Sequence, residues 1–256
     1  MWVCGRIAGL IGRRHGGDGK KCRPSPAPAR TQNQKRHRVT TMTQPLFCDH
    51  MLANPALQAA IAARCAALAQ HDEPLVVAND LGLLTLPDHT QTRAWLVHAA
   101  DAVLLDEHAQ VVLITRLHNP GRGKLALPGG LLDMTPTGLE NSRTAALREA
   151  VEETGITPAL LARAEVTQLG HRRYARPFDI RRAWNNLPGT PVQQNELFSV
   201  STLGFRVKIP GNLRDIAFHA GDDATAINIL PVQDVKADML AVPDHLEMLH
   251  AALATP

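Results

Sequence analysis

Glu149, Glu152 and Glu153 stand at positions i, i+3 and i+4. On a helix of about 3.6 residues per turn, three carboxylates at that spacing crowd one face. Like charges so placed destabilise an isolated helix, and something must offset the repulsion. A divalent cation is the obvious candidate, because a tight group of hard oxygen donors suits Mg²⁺ or Mn²⁺. The opposite face carries Leu147, Ala150, Val151 and Thr154, which suits packing on a core. A Glu-rich helix alone is more often a solvated face than a site. Here Arg148 precedes the first carboxylate, Gly155 follows the last, and Leu127-Pro128-Gly129-Gly130 lies upstream.

The flanking sequence supplies the elements that would hold such a helix. Ala94–His98 and Ala102–Leu105 are strand-like, Asp106–Ala109 makes a turn, and Gln110–Arg116 is a β-branched run that predicts a strong strand. His118–Gly123 is turn-rich, and Lys124–Leu127 is a short strand leading into Gly129-Gly130. Backbone groups near Gly130 can approach a metal or phosphate closely, because glycine has no Cβ. The helix is expected to start after Pro136 and to end at Gly155, a C-cap glycine. Glu165–Tyr174 and Glu196–Val207 read as strands. Between them Arg176–Gln194 is a long, proline-punctuated loop, and long loops in compact domains are often functional. Its neighbourhood holds Arg172, Arg173, Arg176, Arg181 and Arg182, which read equally as a phosphate-binding cluster or a solvated basic edge. Thr225–Leu230 reads as a last strand and Asp244–Ala254 as a last helix.

The stretch around the carboxylates resembles a Nudix box, G-x5-E-x7-R-E-U-x-E-E-x-G-U with U aliphatic. Glu140, Arg148, Glu149, Ala150, Glu152, Glu153, Gly155 and Ile156 fall on that pattern. The pattern's first glycine is missing: its position is Met134, and Gly129-Gly130 lies four residues too early. Asp133–Gly138 reads as a loop carrying a four-residue insertion. The resemblance implies an α/β fold, the Nudix α/β/α sandwich around a mixed sheet, with a small N-terminal helix-and-strand extension. It implies hydrolysis of a phosphoanhydride bond with Mg²⁺ or Mn²⁺. Carried over position by position, Glu149, Glu152 and Glu153 would be the metal ligands, with the Gly130 carbonyl beside them. Arg148 would orient a ligand carboxylate, and Glu140 would contact the metal or its water. Many family members add one later acid as base or ligand. Asp222 and Asp223 are the candidates, with Glu196 behind them; against this stands their reading as a turn before a strand. Arg176, Arg182 and Asp222 are the candidate substrate contacts, and Arg148, Glu152, Glu153 and Asp223 the candidate catalytic set.

Gly221-Asp222-Asp223-Ala224 before a strand, and Asp244-His245 before a last helix, are similar to the C-terminal part of ADP-ribose-hydrolysing Nudix enzymes. ADP-ribose cleaved to AMP and ribose 5-phosphate is therefore the leading expectation. The alternatives are a MutT-type nucleoside-triphosphate pyrophosphohydrolase and a non-catalytic nucleotide sensor. Where those ADP-ribose enzymes usually carry an aromatic residue, Ile227 and Asn228 stand here.

Composition bounds the rest. The 256 residues are 45% hydrophobic and 20% charged, with net charge +3. That charge is uneven: residues 1–41 hold ten Lys or Arg and one acid, leaving 17 basic against 23 acidic residues elsewhere. The body has no composition-level claim on nucleic acid, and no apolar run approaches the roughly 20 residues of a membrane span. Residues 1–41 carry too little apolar surface to fold. They read as a disordered basic arm, a targeting peptide, or an upstream extension of the reading frame with Met42 as the start; the last is favoured. Residues 42–92 are expected to form a helix (51–70, apolar stripe Leu57, Ile61, Cys65, Leu68) and a small subdomain with strands at Leu75–Val77 and Leu81–Leu86. Residues 93–256 are expected, from the resemblance, to form the Nudix domain. Cys4, Cys22, Cys48 and Cys65 show no zinc-site spacing and read as reduced cytoplasmic thiols. The expected partner is a small nucleotide, with no nucleic acid and no membrane; a homodimer is a family-level expectation.

Overall fold

The structure, a computed structural model, describes residues 54–68, 73–119, 121–171, 173–174, 180–221 and 223–255. The basic segment 1–41, Cys4, Cys22, Cys48, Arg172, Arg176 and Asp222 lie outside the described residues.

Helix α1 spans Pro55–Leu68 and begins behind Asn54, whose side chain accepts from the Leu57 N–H. Strands β1 (Ala78–Thr85), β2 (Gln91–Leu105), β3 (Gln110–Arg116), β4 (Leu125–Ala126) and β5 (Gly129–Leu131) follow. Then come β6 (Met134–Thr135), β7 (Gly138–Leu139), α2 (Ser142–Thr154) and α3 (Pro158–Leu161). The chain continues with β8 (Glu165–Gln168), β9 (Arg173–Tyr174), β10 (Arg181–Arg182), β11 (Leu197–Lys208), β12 (Ala224–Pro231) and α4 (His245–Ala254). The main path of the sheet is β10-β11-β2-β3-β12. β11 runs parallel to β2, and the other pairings are antiparallel.

β2 shows why helices cover both faces of the sheet. Its residues from Leu96 to Leu105 are all buried, as expected of a strand sandwiched between two layers. Ala100, Ala102 and Leu104 pack in the cluster that contains α2. Val103 and Leu105 pack with Met248, Leu249 and Ala252 of α4. This is an α/β/α sandwich. Among the fully buried residues of α2 are Ala145, Ala146 and Ala150, small residues that bring the helix close to the sheet. The expected face packs inward, with Ala150 and Thr154 buried and Leu147 and Val151 partly buried against the same core, and the buried stripe extends past it to Ser142 and Glu153.

Several expected elements differ in detail. Ala94–His98 and Ala102–Leu105 are one continuous strand, because Ala99, Ala100 and Asp101 pair with β5 and β11. Asp133–Gly138 is not a plain loop: Met134–Thr135 and Gly138–Leu139 form a hairpin closed by the Thr135 hydroxyl on the Gly138 carbonyl. Glu165–Tyr174 is two short strands on β11. The long loop contains the two-residue β10. Leu75–Val77 is not a strand, and Leu75 is exposed. That segment is instead tied to α2 by Glu73, whose carboxylate accepts from the Ser142 N–H (3.0 Å) and hydroxyl (2.9 Å). β1 joins the main sheet on β2, and α1 packs Leu57, Ile61 and Cys65 on Leu81, Leu84 and Leu96. No helix among the described residues is long and apolar enough to cross a membrane.

Candidate functional site

The carboxylate helix is fixed at both ends by its own sequence. Asn141 caps the start by accepting from the Thr144 N–H at 2.8 Å. Gly155 closes the end at φ 66 and donates to Val151 O, a left-handed cap that favours glycine. The ring of His219 packs against Gly155. The loop after it is latched on, with His219 N–H donating to Thr154 O and Gly221 N–H to Glu153 O, both at 3.0 Å. This latch brings Asp223 to the end of α2.

Arg148 ties the acids together. Its Nη2 donates to Glu140 Oε1 (2.6 Å) and Leu131 O (2.9 Å), and its Nε reaches Glu140 Oε2 at 3.3 Å. Its Nη1 donates to Glu149 Oε1 and Glu152 Oε2, each at 2.8 Å. Burial pulls the guanidinium pKa down, but the hydrogen bonds and charges of Glu140 and Glu149 outweigh it and raise the pKa above its ordinary value. Glu140 also accepts from the Asp133 N–H at 2.8 Å. The extra residues before Glu140 are thus absorbed by the β6–β7 hairpin, and Glu140 still meets Arg148.

The three helix carboxylates have different surroundings. Glu153 is 5% exposed and accepts from the Gly129 N–H at 2.9 Å. Burial pushes its pKa up to about 8; the Gly129 hydrogen bond opposes this, and the charges of Glu149 and Asp223 add to it. Burial also raises Glu149, against the pull of Arg148. Glu152 is exposed on the outer side.

A cleft of about 650 Å³ opens beside these groups. Of the residues singled out in the sequence, Gly129, Gly130, Glu149, Glu153, Arg181, Arg182 and Asp223 line it. Arg148 and Glu140 stand behind it as a frame, and Glu152 is not among its lining residues. Glu196 is engaged elsewhere, accepting from the Trp95 indole and the Gln193 N–H.

Among the lining residues that sequence reasoning did not single out are Asp101, Arg116, Trp184 and Phe198, and it gave His245 no role in the cleft. Asp101 was visible as the single acid inside an apolar strand. Its Oδ2 accepts from the Thr202 hydroxyl and lies 3.8 Å from His245 Nε2. His245 Nδ1 accepts from the Leu127 N–H at 3.1 Å, and burial lowers its pKa. Arg116 is partly buried; burial lowers its pKa, opposed by Glu153, Asp223 and Asp101. Nothing local marked Arg116, which reads as the ordinary end of a strand.

The donors fit a hard divalent cation by type: Glu149 and Glu153 are carboxylates whose pKa values are raised by burial, and a bound divalent charge would favour their ionised forms. Gly130 fits too, since any Cβ there would meet the Glu149 carboxylate, so only glycine keeps its backbone at that group. As they stand, no three His, Cys, Asp or Glu side chains among the described residues converge on one ion position; Arg148 draws Glu149 and Glu152 to itself.

The glycine pair makes a prediction. Gly129→Ala would press its Cβ on the Asp101 carboxylate and on backbone, Ala100 O at 2.7 Å and Asp101 Cα at 2.9 Å. A central strand cannot move aside, so thermal unfolding should show a loss of about 2 kcal/mol or more. Gly130→Ala meets only the Glu149 carboxylate, which can swing away; hydrolysis should fall with a smaller stability loss. Equal losses of stability would show that the wedge at Gly130 is not local to Glu149.

Residues 95–251 match the NUDIX domain family. No curated protein matches the chain. Among solved structures it is similar to the NUDIX domain of Shewanella oneidensis NrtR complexed with ADP ribose, at 21% identity over 61% of this chain and 86% of that one, TM-score 0.42. It is similar to a C. elegans Ap4A hydrolase binary complex, at 16% identity over 61% and 95%, TM-score 0.42. It is also similar to a mutT/nudix family protein from Listeria innocua, at 26% identity over 61% and 91%, TM-score 0.38.

Proposed function

The chain belongs to the NUDIX family and is a pyrophosphohydrolase of phosphoanhydride bonds, and from that premise we propose that it cleaves a nucleoside diphosphate linked to a second moiety. ADP-ribose, giving AMP and ribose 5-phosphate, is the substrate we assign. The observation that carries this reading is the pairing of two carboxylates, buried Glu153 and partly buried Glu149, with an arginine-bearing cleft of about 650 Å³. That volume suits a ligand larger than a mononucleotide.

Glu149, Glu153 and the Gly130 carbonyl would hold the divalent cation, with Glu152 joining from the outer side. When bound, the cation neutralises diphosphate oxygens and acidifies a coordinated water. The protein's own share is orientation. Arg148 fixes Glu140 and Glu149 through its fork, as a positioning residue rather than a substrate contact. Gly129 N–H fixes one oxygen of Glu153. Arg116, Arg181 and Arg182 line the cleft and would meet the diphosphate. Arg182 Nε is buried without a hydrogen-bond partner; such a group costs free energy, which a ligand oxygen would offset. Asp223 lines the same cleft and is the candidate to take the proton of the attacking water. Arg176 and Asp222 stay candidates for substrate contact on sequence grounds.

The test is product analysis of ADP-ribose, NADH, sugar nucleotides and nucleoside triphosphates with Mg²⁺ and with chelator. Metal-dependent release of AMP from ADP-ribose is expected. Hydrolysis confined to triphosphates would keep the site and discard the substrate. An intact panel would sink the reading.

A further inference from the structure

The cleft has two chemically different ends, and the one away from the carboxylates has no role so far. Its floor is set by β11. Leu197, Ser199 and Ser201 are buried, whereas Phe198, Val200 and Thr202 are half-buried and line the cleft. Successive side chains of a strand point to opposite faces, so these three share one face. Thr202 marks the acidic end, because its hydroxyl donates to Asp101, which touches Gly129. Phe198 lies four residues away, about 13 Å along the strand.

Trp184 lines the same cleft as Phe198 and Val200, is 40% exposed and packs in none of the apolar clusters of the core. The contrast with Trp95 is informative. Trp95 gives its indole N–H to Glu196, and the Arg93 guanidinium lies 5.8 Å over its ring. Trp95 is used by the fold; Trp184 offers a large aromatic face to the cleft. Asn185, exposed beside it, also lines the cleft and can both donate to and accept from a base edge. Ile227 and Asn228 are not available for stacking: Ile227 packs in the core and Asn228 donates to the Thr115 hydroxyl.

We propose that Trp184, over a floor of Phe198 and Val200, is the stacking platform for the planar base of the substrate, and so sets the enzyme's selection for nucleotides. This rests on the reading of the cleft as a nucleoside-diphosphate site. The base enters at Trp184, and the diphosphate runs past the arginines toward Glu153.

The test compares binding of AMP and of ribose 5-phosphate to the full chain by calorimetry, in chelator. The two ligands share a sugar phosphate and differ in the base. Base–aromatic stacking corresponds to roughly a 5- to 150-fold gain, so AMP should bind more tightly than ribose 5-phosphate by about that ratio. In Trp184→Ala the ratio should collapse toward one, and in Trp184→Phe most of it should return. AMP should also quench indole fluorescence in the natural protein and not in Trp184→Phe. A ratio unchanged in Trp184→Ala, a parallel weakening of both ligands, or no preference for AMP in the natural protein would each overturn the proposal. The outcome is separable from that of the hydrolysis panel. A Trp184-dependent preference without turnover keeps the platform and removes the hydrolytic reading. Turnover with a preference indifferent to Trp184 does the reverse.

Discussion

Glu153→Gln should cost the enzyme nearly all of its hydrolysis and make the metal-free protein more stable at alkaline pH. The first effect follows from charge. Glutamine keeps the size of the side chain and an oxygen for the Gly129 N–H, but it cannot neutralise a cation. Losing several kcal/mol of transition-state stabilisation is a drop on the order of 10³-fold in turnover. Activity within a few-fold of the natural enzyme would remove Glu153 from the ligand set.

The second effect follows from linkage. Glu153 has its pKa raised from an ordinary 4.5 to about 8, because burial disfavours the charged form. The folded state therefore holds this proton more tightly than the unfolded chain does. The stability so contributed is fully present below pH 4.5 and is lost as pH rises through about 8. At about 1.4 kcal/mol per unit, the natural protein in chelator should lose a few kcal/mol across that window. Glutamine is neutral throughout, so Glu153→Gln should lack this loss and melt higher than the natural protein at pH 9, with little difference near pH 4. A divalent cation added at pH 9 should narrow the gap by stabilising the natural protein, since ligation requires the deprotonated carboxylate. If Glu153→Gln melts lower than the natural protein at pH 9 in chelator, the carboxylate is not the desolvated charge described above.

Much of this site was legible in the sequence because helical spacing is local. Helix-stop chemistry gave the left-handed cap at Gly155, the family resemblance implied that Arg148 orients a ligand carboxylate, and the pairing of Arg148 with Glu140 emerged only in the structure. The Gln110–Arg116 strand and the final helix followed from patterning of the same local kind. The parts that were missed depend on contacts across the chain. Asp101 meets His245 and Thr202, 144 and 101 positions away, and no window holds such a pair. Phe198 and Trp184 look like unremarkable apolar residues until β11 turns one face to the cleft. Sequence reasoning set Glu152 beside Glu153 in the candidate catalytic set, whereas Glu149 and Glu153 line the cleft and Glu152 does not. The packing of Ala145, Ala146 and Ala150 rotates α2 so that Glu153 is buried and Glu152 is exposed, which separates their electrostatics by environment alone.

Arg148→Ala should unfold the protein more readily than any other single change at the site. Glu140 is 5% exposed in its side chain and Glu149 15%, and Arg148 is the cation paired with both. Removing it leaves buried negative charge uncompensated, which costs about 3–5 kcal/mol. It also orphans the Leu131 carbonyl and frees Glu149 to turn from its position beside Gly130. Arg148→Lys should recover only part of the loss. A single ammonium cannot span Glu140, Glu149 and Leu131 as the planar guanidinium does. The Glu152 contact contributes little, because that carboxylate is exposed and screened; Glu152→Gln should move the denaturation midpoint far less than Glu140→Gln. A double-mutant cycle separates the charge from the packing. If the Arg148–Glu140 fork is the dominant interaction, Arg148→Ala combined with Glu140→Gln should be less destabilised than the sum of the single changes. It should also be insensitive to salt, since a buried pair is weakly screened. Additive losses that shrink in salt would place the energy at the solvent-facing Glu152 instead, and α2 would then be held by its alanines alone.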